Sequence, residues 1–392
     1  MRYLPPVYSP LRWSEICTAA LSLAPVSSQA HLSGARAALG ACYPDFDVLL
    51  VDSGTSALTL AIDMALMRAA PPSTPRIVAV PAYSCPDVAT ATVGARAQLV
   101  LYDLDPHTLE PDWDSLRLAF EQGARVAVVT HLYGRVVDLA PAQALANEFG
   151  AIVVEDAAQH AGGTVRGRRG GSQSSLGVLS FGRGKGLNAG GGGALLCRRS
   201  DNWAPVDAAR DANGLVALLL ASAAELLSHP LVYGVPAGIP ALGVGSTSYH
   251  LPRPVSPLSA SCAILLAAAL QREPMELAAR RKLESTYIDV LLARAQAQIA
   301  VPSLVTESGA LRTPVFLNPS LAGNTRALHA LGVVRSYPRT LNAYGELASS
   351  IVPTAGALLG SEWLAARTHT LPTHRLVRDR DAETILRLLG AG

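Results

Sequence analysis

The sequence predicts an α/β protein built on a mostly parallel sheet, and three observations carry that prediction. Short apolar runs alternate with helical patterns from about residue 47 to residue 200. Such alternation means βαβ crossovers, with helices covering both faces of the sheet. Polar, Gly and Asp residues gather at the carboxyl ends of those runs: Ser53-Gly54-Thr55, residues 81–84, His131 and Asp156. Open α/β sheets bind their ligands at those ends. The composition, 49% hydrophobic and 16% charged over 392 residues, excludes a disordered chain and suits a large core with an appendage.

The elements follow in order. The first 40 residues mix Pro-rich coil with an Ala/Leu helical pattern. Residues 47–54 read as strand and turn, and 55–70 as a helix. A strand at 76–83, a helix at 88–95 and a strand at 97–104 form the next unit. A strand at 125–134, a helix at 140–150 and a strand at 151–158 follow. Residues 176–182 and 192–199 read as two strands close together. Residues 234–260, rich in Pro, Gly and Ser, read as a long irregular connection. A long helix is expected over about 257–298. Residues 300–392 read as a smaller α/β unit, so the division is 1–250 for the N-terminal segment and large domain and 251–392 for the small C-terminal domain with its connecting helix.

Charge and cysteine content exclude several classes. Lys+Arg total 32 against Asp+Glu 30, with no basic block, so nucleic acid is not the expected partner. Five scattered cysteines without a CxxC pair indicate neither a metal site nor a disulfide framework. A reducing cytoplasm fits that usage, and the opening residues lack the apolar core of a signal peptide. The apolar stretch 214–233 is interrupted by Glu225, His229 and Pro230, short of the roughly 20 clean residues of a spanning helix. No integral membrane segment is expected.

Lysine occurs only twice, at Lys185 and Lys282, against 30 arginines. A chain that uses arginine for its surface cations keeps a lysine where a neutral primary amine is needed. Lys185 follows the predicted strand at 176–181 and is flanked by Gly182, Gly184 and Gly186. The surrounding glycines fit neither G-x-x-x-x-G-K-[ST] nor G-x-G-x-x-G. A lysine in such a loop can form a Schiff base with an aldehyde cofactor. Pyridoxal 5′-phosphate would need three further things. Asp156, ending a strand, could pair with the pyridine nitrogen. Ser53-Gly54-Thr55-Ser56 opens a helix and suits a phosphate. Ser180, five residues before Lys185, could add a phosphate donor.

In these residues the sequence resembles the DegT/DnrJ/StrS sugar aminotransferases, enzymes of fold type I that use pyridoxal phosphate. The matching segments are SGTSAL at 53–58, VPAYSCPDVATA at 80–91, HLYG at 131–134, EDAAQHAGG at 155–163 and LSFGRGKGLNAGGGGALL at 179–196. The resemblance implies that Lys185 is the Schiff-base lysine and proton carrier. It implies that Asp156 holds the ring nitrogen, that Gln159 lies near the ring's 3-hydroxyl, and that Gly54, Thr55, Ser56 and Ser180 hold the phosphate. It implies a large domain with a seven-stranded type of sheet, and a homodimer with shared active sites. The implied reaction moves an amino group from an amino acid, glutamate above all, to a keto-sugar, usually nucleotide-linked. Family dehydratases carry histidine in place of the lysine, so Lys185 favours transfer. A dehydratase, an aminotransferase for a non-sugar ketone and a non-catalytic pyridoxal-phosphate regulator are the alternatives.

The departures from the family pattern locate further candidates. Alignment puts Cys85 where a ring-stacking aromatic is expected, with Tyr83 two residues before it as the candidate stacking ring. The segment 249–260 differs from the family's partner-reaching loop. RSYPRTL at 335–341 has Ser336 where the family carries histidine, and Arg335 and Arg339 there are candidates for a substrate carboxylate or phosphate. His131 and His160 flank the site in sequence and are candidates for substrate contact.

Overall fold

The computed structural model describes residues 2–21, 28–69, 74–204, 214–234, 247–293, 299–303, 307–318, 325–353 and 356–390. The central sheet has seven strands: β1 (Phe46–Val51), β2 (Ile77–Pro81), β3 (Gln98–Tyr102), β4 (Val126–Thr130), β5 (Ile152–Asp156), β8 (Leu176–Ser180) and β9 (Gly193–Arg198). Two short strands, β6 (Thr164–Val165) and β7 (Arg168–Arg169), form a separate hairpin. The order across the sheet is β1-β9-β8-β5-β4-β2-β3. Only β9 runs antiparallel to its neighbours β1 and β8; the remaining pairs are parallel. The mostly parallel, seven-stranded sheet expected from the sequence is present.

The central strands are apolar throughout because both faces are covered. Side chains alternate along a strand, so Val78 and Val80 join one core with helices α3 (Gly54–Ala69) and α4 (Pro86–Gly94). Ile77 and Ala79 join the opposite core with α5 (Trp113–Glu121) and α6 (Ala140–Glu148). Helix α5 was not anticipated from the sequence. Its start is fixed by Asp112, whose side chain accepts from Ser115 N at 2.9 Å, a side-chain cap of an otherwise unpaired donor.

A third core joins α1 (Trp13–Leu21), α2 (Ser28–Cys42), α7 (Gly214–Leu227) and the first half of α8 (Ala260–Ala293). Helix α8 begins three residues later than expected, and its expected end, residues 294–298, lies outside the described residues. Of the expected irregular connection, 235–246 lies outside them too, while 247–259 carries no helix. Within 214–233, Leu218 and Ala221 are buried, while Leu215, Leu219, Leu220 and Leu226 are exposed. Among the described residues no helix is long and apolar enough to cross a membrane.

The second sheet is antiparallel, ordered β10 (Ile299–Ala300), β11 (Arg312–Leu317), β13 (Thr368–Pro372), β12 (Val334–Arg335). Its core takes Tyr287 and Leu291 from the end of α8 and Ile385 and Leu386 from α11 (Asp379–Leu388). Helices α9 (Thr325–Ala330) and α10 (Leu359–Arg367) complete the unit. Leu341, Tyr344, Leu347 and Leu358 pack back on the core of the large sheet.

An extended N-terminal segment straps these parts together. Tyr3 N donates to Pro230 O (2.9 Å) and Leu4 N to Ala330 O (2.8 Å). His374 Nε2 meets Pro5 O at 2.7 Å. Ser9 Oγ donates to Lys185 O at 2.7 Å, and Asn188 Nδ2 donates to Ser9 O at 2.9 Å.

Candidate active site

The carboxyl ends of β1, β5 and β8 bring the three expected parts together. After β1 the chain turns at Ser53 into α3. Ser53 Oγ accepts from Ser56 N (3.0 Å) and donates to Ser56 Oγ (2.9 Å). Ser56 is thereby drawn into the turn's own bonds and buried, so Gly54, Thr55 and Ser180 form the more open part of the cradle. Glycine at 54 is required by contact: a Cβ there would stand 2.6 Å from Ser180 Cβ. The helix N-terminus and the Ser180 hydroxyl therefore face one small space, suited to an anion.

Asp156 ends β5 and is 5% exposed. Its Oδ1 accepts from Ala158 N at 3.1 Å and its Oδ2 from Thr130 Oγ1 at 3.2 Å. Each oxygen keeps a lone pair for a further donor. Burial pushes this carboxyl above the usual range, and the Lys185 cation is the largest influence pulling it back. The same cation acts on the Cys85 thiol, which burial and Asp87 push up to about 12. The Lys185 charge therefore acts on both Asp156 and Cys85. Cys85 stands just before α4 and makes no side-chain cap. A buried carboxylate for a ring nitrogen, an amine beside it and an anion cradle are the donors pyridoxal phosphate requires, so these residues fit that group.

Gln159 sits at the edge of this cluster. Its Nε2 donates to Tyr337 Oη at 2.9 Å and its Oε1 accepts from Tyr133 N at 3.3 Å. Tyr133 has φ +61, and the next residue, Gly134, has φ +92 with Leu311 N only 2.7 Å from where a Cβ would stand. Only glycine allows that close approach. The Tyr133 and Tyr337 rings stack at 6.1 Å. Tyr133, Tyr337, Thr130 and Arg312 were not singled out from the sequence, although the first two lie within the quoted HLYG and RSYPRTL segments.

Several expectations are corrected by this geometry. Tyr83 is fully buried, with its hydroxyl 2.7 Å from Tyr133 Oη and donating to Ser336 O at 3.0 Å. It is a core residue whose hydroxyl is already engaged, while the Lys185 charge acts on the Cys85 thiol. His131 is also fully buried: Nδ1 accepts from Val137 N (3.2 Å), which places the proton on Nε2, 2.7 Å from Glu155 Oε1. His160 lies between Ala157 O (2.9 Å) and Tyr43 Oη (3.3 Å), and burial depresses its pKa to about 3. Neither histidine has a nitrogen left for a substrate. Arg335 points outward and donates to Ala365 O at 3.0 and 2.7 Å, closing the end of α10. Arg339 is exposed, its guanidinium 4.6 Å from the Tyr344 ring centre.

A cavity of about 390 Å³ lies elsewhere, lined by Asp47, Cys197, Arg198 and Trp203 among others. Its lining holds no lysine and no buried carboxylate.

The fold, with Lys185 and Asp156 at the carboxyl edge of its sheet, is that of the fold type I class of pyridoxal-phosphate enzymes. Over its whole length the chain superposes on AtS13 from Actinomadura melliaura with TM-score 0.77 at 20% identity, covering 100% of this chain and 99% of that one. Residues 40–211 match the model of the DegT/DnrJ/EryC1/StrS aminotransferase family. The chain is similar to an L-glutamine:2-deoxy-scyllo-inosose aminotransferase of Streptoalloteichus tenebrarius, 34% identical over 149 residues, or 38% of this chain and 34% of that protein. It is also similar to a GDP-perosamine synthase of Caulobacter vibrioides, 31% identical over 150 residues, 38% of this chain and 39% of that one. The chain thus spans about a third of the length of the curated relatives it matches.

Proposed function

We propose that this protein is a pyridoxal-phosphate-dependent aminotransferase that moves an amino group from an amino acid to a keto-sugar or a related cyclic polyol ketone. The observation that carries the reading is the buried Asp156 carboxylate at the end of its strand, under the influence of the Lys185 charge, inside the segment that matches the family. The names of the two relatives support a sugar-like acceptor, and the first supports L-glutamine as a donor beside glutamate.

When bound, pyridoxal phosphate supplies an aldehyde that condenses with amines and a ring that withdraws electrons from the adjacent C–H bond. Asp156 would hold the ring nitrogen, its charge kept in place by Thr130 and Ala158. Gly54, Thr55 and Ser180 would hold the phosphate, and Gln159 the ring hydroxyl. Cys85 would lie where the ring face rests. Lys185 Nζ would offer its amine to the aldehyde and would accept and return the proton of the substrate carbon. Asn188 and Ser9 hold the Lys185 loop against the N-terminal strap. Lysine at 185, where family dehydratases carry histidine, supports transfer.

The same reading includes a homodimer with shared sites, a cytoplasmic location, and a division into residues 1–250 and 251–392. The return of Leu341 and Tyr344 to the large core is then the contact that seats the smaller unit. The test is reductive trapping with borohydride in the presence of the cofactor. A pyridoxyl group should map to Lys185, one of two lysines, and disappear in Lys185→Ala. Labelling at Lys282 would overturn the assignment. Incubation with glutamine or glutamate should then release one equivalent of the 2-oxo acid per site.

A further inference from the structure

Beside the N-terminal strap, α7 and the turn after it wall a cavity of about 220 Å³, lined by Tyr8, Trp13, Glu225, Leu226, His229 and Val232 among others. A smaller recess adjoins it. The two share Tyr8, Glu225 and Ser228, and the recess adds Ser9, Arg183, Gly184 and Asn188. One end of this groove is therefore built from the loop that carries Lys185.

The two ends differ in chemistry. At the outer end the apolar side chains are exposed: Leu226 at 57%, Trp13 at 49% and Val232 at 40%. Leu215 and Leu219, also exposed, stand at i and i+4 to the i+11 of Leu226, so they extend the same stripe of the helix. Glu225 is the single charged residue of α7, and both its oxygens are engaged. Oε1 accepts from Tyr8 Oη at 2.6 Å and Oε2 from Leu11 N at 3.2 Å. At the inner end Arg183 is exposed and enters none of the ion pairs found among the described residues. A cation without a counter-charge next to the lysine, followed by an uncharged apolar wall, complements an amphiphile with a phosphate near its reacting end. A nucleotide-linked acceptor would set a polar ribose and base against leucine and valine, with their hydrogen bonds unmade.

We propose that this groove takes a lipid-linked acceptor, a keto-sugar carried on a prenyl phosphate. Arg183 receives the phosphate, and the hydrocarbon chain lies along Trp13, Leu226 and Val232. The proposal rests on the aminotransferase reading and names the class of its acceptor. Farnesyl phosphate, farnesol, UMP and inorganic phosphate are titrated calorimetrically into the wild-type holoenzyme, Arg183→Gln and Leu226→Asp. Farnesyl phosphate should bind the wild type at least about tenfold more tightly than UMP or inorganic phosphate, because its chain buries apolar surface. Arg183→Gln should weaken farnesyl phosphate by about tenfold, the scale of a lost charge-assisted bond, and leave farnesol unchanged. Leu226→Asp should weaken both. A wild type that does not bind farnesyl phosphate, equal affinity for UMP, or unchanged affinity in both variants overturns the proposal. So does a dimer that sedimentation shows to split in Leu226→Asp, since a second copy would then cover this face. Borohydride trapping at Lys185 in both variants shows that the site is intact. Failure of trapping in the wild type instead refutes the aminotransferase reading, whether or not farnesyl phosphate binds.

Discussion

Substituting Gly54 by alanine should loosen the cofactor while leaving the fold almost unchanged. The new Cβ would meet Ser180 Cβ at 2.6 Å, its Oγ at 2.8 Å and its Cα at 3.3 Å. Ordinary contact requires the two chains to part by up to about 1 Å, at an overpacking cost of about 1–3 kcal/mol. Gly54 lies at the start of α3 and carries no positive φ, so alanine also returns up to about 1 kcal/mol of helix stability. Global unfolding should therefore move little. The displaced groups are the two sides of the phosphate cradle, so affinity for pyridoxal phosphate should fall by about tenfold for each 1.4 kcal/mol not recovered. Equilibrium dialysis of the cofactor measures this, with urea unfolding as the control. Ser180→Gly removes the colliding atoms, so the double variant should bind the cofactor no worse than Ser180→Gly alone. Unchanged affinity in Gly54→Ala, or losses that multiply in the double variant, would refute the close approach as the reason for glycine.

Two further outcomes follow from buried groups. Tyr83→Phe removes bonds to Tyr133 and Ser336 and should cost about 1–2 kcal/mol in urea unfolding, with cofactor affinity unchanged; weaker cofactor binding would return Tyr83 to the site. His160 and His374 are held neutral, with pKa values depressed by burial to about 3 and about 4. The unfolded chain takes up those protons near pH 6.5, so their contribution is complete above 6.5 and is lost as pH falls toward the folded values. For His374 the loss is roughly 3 kcal/mol by pH 4. Glu284, pushed up to about 7 by burial, runs the opposite way, so the measurement is the difference between wild type and His374→Gln. Equal acid sensitivity in both would show that His374 is not the source.

Which parts of the site could be read in advance follows from how each residue works. Lys185, Asp156 and the Ser53 turn act through residue type and strand-end position, and both are visible in a sequence. The direction in which a side chain points is not. Tyr83 and Cys85 lie on one short segment, but the core claims the aromatic ring and leaves the thiol under the influence of the Lys185 charge. His131 resembles a catalytic histidine until Glu155 and Val137 are seen to take both ring nitrogens. Arg335 and Arg339 attracted notice by their motif, whereas Arg312, on an unremarked strand, is brought to within 5.5 Å of the Tyr133 ring centre by the close packing of Gly134 on Leu311. Helix α5 went unread because its first-turn signal, Asp112 with Ser115 three residues on, is brief and polar.

The N-terminal strap has a consequence for the order in which the protein is built. Its anchors are distant in sequence: the Pro5–His374 contact spans 369 positions, and the Ser9 contact with the lysine loop spans 176. Residues 2–9 therefore leave the ribosome long before their partners exist. The central sheet, made from neighbouring crossovers, can assemble while synthesis continues, but the strap that holds the Lys185 loop through Ser9 cannot be anchored at Pro5 until His374 arrives. Such long loop closures are slow steps, so a lysine competent to capture cofactor should be among the last features of the protein to mature.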